Sequence, residues 1–306
     1  MFTRLVPLRR LHTRRVTFVG LGNMGLNMAT NLIKGGMKVA GFDANKEITD
    51  KFLSEGGEKF DSIESATAQS DALITMLPNA NIVNAIWDRA TTTAKKGTYF
   101  IDSSTISPID TVKLAEKVRS KGIIPADAPV SGGVMGAKNA TLSFMIGSSK
   151  EEFENVKAFL QLMGKNFFYC GTNSNGQVAK ICNNLCLGIT MVGLAESLAL
   201  GVKLGMDPKV LSDVMAVSSA RCWSLDTYNP VPNVLPSTPS SRNYDNGFSM
   251  ELITKDIKIA LDCAKNVELQ TELSNSTLEH YEALKKINSS KDFSWVYQYI
   301  LNNKKL

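Results

Sequence analysis

From residue 16 onward, short runs of apolar residues alternate with longer amphipathic stretches. VTFVG at 16–20 reads as a buried strand, and KVAGFD (38–43), ALITML (72–77) and YFID (99–102) are of the same kind. IIPAD (123–127), LSFMI (142–146) and NFFYC (166–170) extend the series. Helix-like stretches fall between them, at 24–34, IVNAIWDRA (82–90) and PIDTVKLAEKVRSK (108–121). Short apolar strands alternating with amphipathic helices predict an α/β domain with a mostly parallel, doubly wound sheet.

After Gly176 the pattern changes. Residues 177–204 form one helical stretch with apolar residues on several faces, and at 1.5 Å per residue it would be about 40 Å long. A helix that apolar is expected in a domain or subunit interface, which points to a homo-oligomer, dimer or tetramer. Asp207-Pro208 supplies an N-cap and a proline for the next helix. Residues 223–248 carry Pro230, Pro232, Pro236 and Pro239 among Ser, Asn and Asp, which predicts a long loop. Loops of that length in compact domains are usually functional, and this one is expected to shape the substrate pocket. The chain has no internal repeat. It divides into a dinucleotide-binding domain at 16–176 and an all-α substrate and oligomerisation domain at 177–306, joined by the long helix.

Charge changes the picture only at the start. The net charge is +5, from 34 basic and 29 acidic residues, but residues 1–15 hold five arginines and no acid. The remainder is balanced, which gives no sign of a nucleic-acid partner. The Arg-rich, acid-free segment 1–15 reads as a mitochondrial presequence, so the expected location is the mitochondrial matrix. No uninterrupted apolar run reaches the ~18 residues of a membrane span, so no membrane partner is expected. Five cysteines without a CxxC are expected to be reduced. Cys182 and Cys186 lie one helical turn apart, nothing nearby completes a metal site, and they are expected to face the core.

Residues 20–25 are GLGNMG, a G-x-G-x-x-G that follows a strand and opens a helix. Gly20 permits the tight turn, Gly22 lets backbone approach a pyrophosphate, and Gly25 lets helix and strand pack closely. Leu21, Asn23 and Met24 complete the turn, and the helix N-terminus offers unpaired N–H groups to phosphate. Asp43 ends the second strand, 21 residues after Gly22. A carboxylate there accepts hydrogen bonds from ribose hydroxyls and repels a 2′-phosphate, so the expected cofactor is NAD in a Rossmann-type domain.

Hydride removal from an alcohol needs a base for the hydroxyl proton. The two histidines, His12 and His280, lie in the presequence and in a polar C-terminal helix. Tyr281 and Lys285 make a Y-x-x-x-K that falls outside the dinucleotide domain and reads as a chance match. Lys180 is the only charged residue between Lys165 and Glu196, on an otherwise apolar helix, with Asn184 one turn away on the same face. A lysine desolvated there could act near neutral pH. The alternative is a lysine that reaches solvent. Ser131, Gly132 and Gly133, after a strand, could hold a substrate carboxylate through backbone N–H groups and a hydroxyl, or form an ordinary turn.

Taken together, GLGNMG (20–25), ITMLP (74–78), DSST (102–105), DAPVSGG (127–133), CGTNSNGQVAKICNN (170–184) and LITKD (252–256) resemble, in order and spacing, the β-hydroxyacid dehydrogenases. The resemblance covers about residues 16–300. It implies that Lys180 is the catalytic lysine and that Ser131, Gly132, Gly133 and Asn184 hold a small hydroxy acid. It also implies that Leu77, Pro78 and Thr105 line the cofactor cleft, and that Phe248 and Lys255 close over the nicotinamide end. Segment 218–234 resembles the mitochondrial members that oxidise a branched hydroxy acid. The sister enzymes that reduce tartronate semialdehyde, succinic semialdehyde or glyoxylate lack its prolines, and such a reductase is the alternative reading. A catalytically silent dinucleotide-binding module is a third, against which Lys180 speaks.

Overall fold

The computed structural model describes residues 14–302, so nearly all of the presequence segment lies outside them. The chain forms two compact units, which meet in sequence between Lys180 and Ile181. The first opens β1 (Arg15–Val19), α1 (Gly25–Lys34), β2 (Lys38–Phe42), α2 (Lys46–Ser54), α3 (Ile63–Thr67), β3 (Ala72–Thr75) and α4 (Ala80–Thr91). It continues β4 (Tyr99–Asp102), α5 (Pro108–Arg119), β5 (Ile124–Asp127), β6 (Val130–Ser131), α6 (Gly133–Lys138), β7 (Leu142–Gly147), α7 (Phe153–Leu160) and β8 (Gly164–Gly171). Arg15 is the first residue of β1, paired with Lys38. Arg14 stacks over the Phe159 ring at 4.2 Å, and Arg15 forms an ion pair with Glu58. The folded body therefore includes these two arginines, which the sequence reading placed in the presequence.

The sheet order is β2-β1-β3-β4-β5-β7-β6, with β8 on β7. β1 through β5 are parallel, while β7 runs antiparallel to β5 and β6. Alternate residues of each strand face opposite layers. Phe18, Ile74 and Ile101 join the core beneath α1, with Met28 and Leu32. Leu73 and Phe100 join the core on α4 and α5, with Val83, Trp87 and Leu114. That two-sided burial is why these strands read as unbroken apolar runs. The order reverses between β1 and β3, and in open α/β sheets ligands bind beyond the carboxyl ends of strands at such a point.

The long helix α8 (Asn175–Lys203) begins in the first unit and continues into the second. By mean hydropathy over an 18-residue stretch rather than as an unbroken apolar run, it is long and apolar enough to cross a membrane by length and composition, the one such helix among the described residues. Its Met191, Leu194, Ala195 and Leu198 are buried in the second unit's core. Cys182 and Cys186 are exposed rather than core-facing. The buried positions Lys180, Ile181, Asn184 and Gly188 follow the helical period along the other side.

The second unit adds α9 (Pro208–Ala216), α10 (Trp223–Asp226), α11 (Met250–Asn266), α12 (Glu272–Ile287) and α13 (Val296–Leu301). Segment 223–248 is irregular apart from α10 and one 3-10 turn at Pro239–Arg242. Its Leu225, Val231, Val234 and Tyr244 are buried. The first three belong to the core made by α8, α11 and α12, so the segment is part of that core. Tyr281 is wholly buried in the same core, where its hydroxyl donates to the Gly188 carbonyl at 3.2 Å. The Y-x-x-x-K is thus a packing feature.

Candidate functional site

The turn after β1 shows why glycine stands at three of its six positions. Gly20 has φ +94°, and a Cβ there would lie 2.2 Å from the Met76 carbonyl oxygen. A Cβ at Gly25 would lie 1.8 Å from the Gly20 carbonyl oxygen, which forces the start of α1 against the strand end. A Cβ at Gly22 would meet nothing within 4 Å, so that position is open. Gly22 and Asn23 are exposed, Met24 is half-buried and Leu21 is buried. The first turn of α1 has no side-chain cap and no acid, which leaves its N–H groups for an anion. The turn fits a dinucleotide's pyrophosphate.

The Asp43 carboxylate is held at the end of β2 by two N–H groups, Leu21 at 2.7 Å and Asn45 at 2.8 Å. It is thereby fixed beside the glycine turn, and a carboxylate has lone pairs left for ribose hydroxyls. On β3, the other neighbour of β1, Thr75 is the last strand residue; the Met76 N–H still reaches the Val19 carbonyl at 2.9 Å, but the pairing does not continue to Leu77. The Leu77 N–H goes instead to the Ser104 hydroxyl at 2.8 Å. Leu77 and Thr105 are half-buried and Pro78 is exposed. Leu77, Thr105 and the glycine turn all stand beyond the carboxyl ends of β1, β3 and β4.

The start of α8 is tied to the same end of the sheet. Asp127, the last residue of β5, accepts the N–H of Ser174 at 2.7 Å and of Gln177 at 3.0 Å. The close fit requires glycine on both sides. A Cβ at Gly147 would lie 2.4 Å from one carboxylate oxygen, and one at Gly176 would lie 2.8 Å from the other. Burial pushes the Asp127 carboxyl up to about 7, against the pull of the two N–H groups. The Gln177 side chain donates to the Ser104 carbonyl at 2.8 Å and accepts the Ile106 N–H at 3.2 Å. One turn later stands Lys180, 9% exposed, so it is buried rather than reaching solvent.

Ser131 ends β6 half-buried, and Gly132 (φ +128°) and Gly133 (φ +61°) follow it exposed. The glycine pair is not a free turn, because α6 starts at Gly133. In the second unit, Asn184 is buried and donates to Asp256 at 2.6 Å while accepting from Asn183 at 3.0 Å. Lys255 lies 3.3 Å from the other oxygen of Asp256. Phe248 donates its N–H to Asp292 at 2.7 Å and meets the Phe293 ring edge-on at 5.8 Å. Sequence reasoning gave no role to Asp127, Ser104, Gln177 or Asp256. Each stands in one of the sequence motifs, but their partners lie 27 to 73 residues away. The one local signal was a glutamine three residues before the lysine.

Residues 15–171 match a family model described as the NAD binding domain of 6-phosphogluconate dehydrogenase. Residues 174–300 match one described as NAD-binding of NADP-dependent 3-hydroxyisobutyrate dehydrogenase. The chain is 44% identical over 293 residues to the mitochondrial 3-hydroxyisobutyrate dehydrogenase of Drosophila melanogaster, covering 95% of this chain and 90% of that one. It is 42% identical over 291 residues to the Homo sapiens enzyme of the same name, covering 93% and 86%. Among solved structures, it is similar to 3-hydroxyisobutyrate dehydrogenase of Mycobacterium tuberculosis with L-serine. The TM-score is 0.91 at 34% identity, covering 94% of this chain and 99% of that one.

Proposed function

The chain belongs to the β-hydroxyacid dehydrogenase family, and on that premise we propose that it oxidises 3-hydroxyisobutyrate to methylmalonate semialdehyde with NAD, a step of valine breakdown. The substrate comes from the relatives at 42–44% identity. The reaction type rests on one observation, the buried Lys180 one turn beyond Gln177 on the helix that Asp127 caps. NAD bound here would supply the hydride acceptor for the oxidation. The glycine turn at 20–25 and the first turn of α1 would hold its pyrophosphate, Asp43 its adenosine ribose, and Leu77, Pro78 and Thr105 would line its cleft.

To take a proton in the oxidation, Lys180 must enter it as the neutral amine. Its Nζ takes the proton of the substrate hydroxyl as the C–O bond becomes C=O, and in the reverse direction it returns that proton. Ser131, Gly132 and Gly133 receive the substrate carboxylate through a hydroxyl and exposed backbone N–H groups, and for the Asn184 amide the family resemblance implies a part in holding the substrate. The Asn184–Asp256 bond fixes that amide, and Lys255 balances the Asp256 charge. Phe248 and Lys255 take the roles at the nicotinamide end that the family resemblance implies.

The reading includes a homo-oligomer, dimer or tetramer, since Leu200, Leu204, Val210, Val214 and Val217 expose 50–89% of their surfaces along the end of α8 and α9. It also includes a mitochondrial location, in the matrix. The relatives named mitochondrial and the acid-free basic start of the chain support it.

A panel of small hydroxy acids assayed with NAD and NADP tests the reading, together with Lys180→Ala. The expected result is a preference for 3-hydroxyisobutyrate and NAD. The variant should still bind NAD and lose roughly 10²–10⁴-fold in kcat, the usual contribution of a general acid–base group. Near-wild-type turnover in the purified variant would remove Lys180 from the mechanism, and equal use of NADP would remove Asp43 from cofactor choice.

A further inference from the structure

We propose that Gln177 is the positioning residue that sets Lys180 against the segment around Thr105, and that it does so from a backbone anchored on Asp127. The inference rests on Lys180 being the proton-transfer residue and Thr105 lining the cofactor cleft. Gln177 is fully buried and uses both its backbone and its side chain. Its N–H is held by the Asp127 carboxylate at the carboxyl end of β5. Its carboxamide grips the chain on either side of Thr105, donating to the Ser104 carbonyl and accepting from the Ile106 N–H. The Ser104 hydroxyl in turn holds the Leu77 N–H. One side chain thus joins the catalytic helix to two stretches of chain assigned to the cofactor cleft.

Only an amide of this length does this. Residue 177 must donate to a carbonyl and accept from an N–H at once, and glutamine does both without charge. Leucine does neither. An ionised glutamate accepts from Ile106 but turns a lone pair toward the Ser104 carbonyl. Gln177 and Lys180 are three residues apart and therefore neighbours on one helix face. Any shift that the loss of the grip allows in this turn of α8 moves the lysine too. A displacement of about 1 Å at a reacting group can cost roughly 10²-fold in rate.

The test compares Gln177→Leu, Gln177→Glu and Lys180→Ala with wild type, reading kcat, NAD affinity and the dependence of rate on pH. Gln177→Leu is expected to lose roughly 10²-fold in kcat while NAD affinity stays within about threefold. Gln177→Glu separates positioning from mere packing. When its buried carboxyl is protonated it regains an O–H donor for Ser104 and loses its charge. Its rate relative to wild type should therefore rise as pH falls from 8 to 5, measured in the reductive direction, whereas that of Gln177→Leu should stay low throughout. The proposal is overturned if folded Gln177→Leu keeps its kcat, or if kcat and NAD affinity fall together. A Gln177→Glu ratio flat with pH overturns it equally, and decides the matter alone should the leucine variant not fold. An active Lys180→Ala would instead sink the lysine assignment; an inactive Lys180→Ala beside a fully active Gln177→Leu would sink only the positioning role.

Discussion

Each unit has a buried aspartate that gathers several donors, and these two aspartates, Asp127 and Asp292, do different things. In the first unit, Asp127 accepts two backbone N–H groups at the start of α8 and fixes where a helix begins. In the second, Asp292 gathers side chain and backbone from three places. It accepts the Tyr228 hydroxyl at 2.8 Å, the Phe248 N–H at 2.7 Å, the Ser294 N–H at 2.9 Å and the Ser294 hydroxyl at 2.5 Å. A Cβ at Gly247 would lie 1.9 Å from its carboxylate, so the chain passes there only as glycine. Both carboxyls are raised by burial above the usual range. The α/β unit uses a carboxylate to start a helix. The helical unit uses one to hold a proline-rich segment that has no ladder of its own.

That comparison breaks most directly at Asp292. Asp292→Ala leaves four donors without their acceptor in a buried site, and unmet buried donors cost about 1–3 kcal/mol each before relaxation. We expect the second unit to lose about 3–5 kcal/mol of stability. Urea unfolding followed by tryptophan fluorescence reads it, since Trp223 and Trp295 stand in this unit and only Trp87 in the first. A loss below about 1 kcal/mol would mean that segment 223–248 is held by its apolar contacts alone.

Asp127 sharpens the comparison through pH. Its carboxyl titrates near 7 in the folded protein, against an ordinary 3.8. Between those values the folded state keeps a proton that the unfolded state has lost. This group's contribution to unfolding free energy therefore falls as pH rises from about 4 to about 7, and levels off above. At about 1.36 kcal/mol per pH unit the full window amounts to at most about 4 kcal/mol. The difference in stability between wild type and Asp127→Asn should follow that course. A difference flat across pH 4–7 would show that the N–H groups fully compensate the burial.

How much was legible in the sequence follows the same division. The strand at Tyr99–Asp102 was readable to the residue, and the GLGNMG turn and Asp43 could be paired from the sequence because they meet early in the fold, where Asp43 accepts the Leu21 N–H. Ala72–Thr75 came out two residues shorter than its apolar run, because Leu77 gives its N–H to Ser104 instead of a strand. Ser131-Gly132-Gly133 could be read as a carboxylate holder or an ordinary turn, and positive φ at both glycines leads straight into α6. Lys180 stood out as a lone charge, whereas Asp127 and Gln177 look like ordinary polar residues until long-range bonds give them work. In the second unit, prolines advertised a loop and concealed that Val231, Val234 and Tyr244 are core residues. The cysteines of α8 were misplaced because that helix is apolar on every side, so its pattern names no inner face.

The smallest expected effect concerns a third carboxylate, at the surface. The guanidinium of Arg89, hydrogen-bonded to Glu64 at 2.7 and 3.1 Å, brings that carboxyl down to about 2, well below the usual range. A depressed carboxylate adds stability above its ordinary pKa and loses it as pH falls toward 2. Solvent changes the magnitude, because Arg89 leaves 52% of its side chain exposed and Glu64 28%. An exposed pair gains little, since water and salt screen the attraction and two long side chains must be held still. We therefore expect Arg89→Ala to cost less than about 1 kcal/mol at pH 7, and less again at high salt, by urea unfolding of the first unit. A cost of several kcal/mol that survives high salt would place this pair beside Asp127 and Asp292, and burial would no longer be what separates an organising carboxylate from a decorative one.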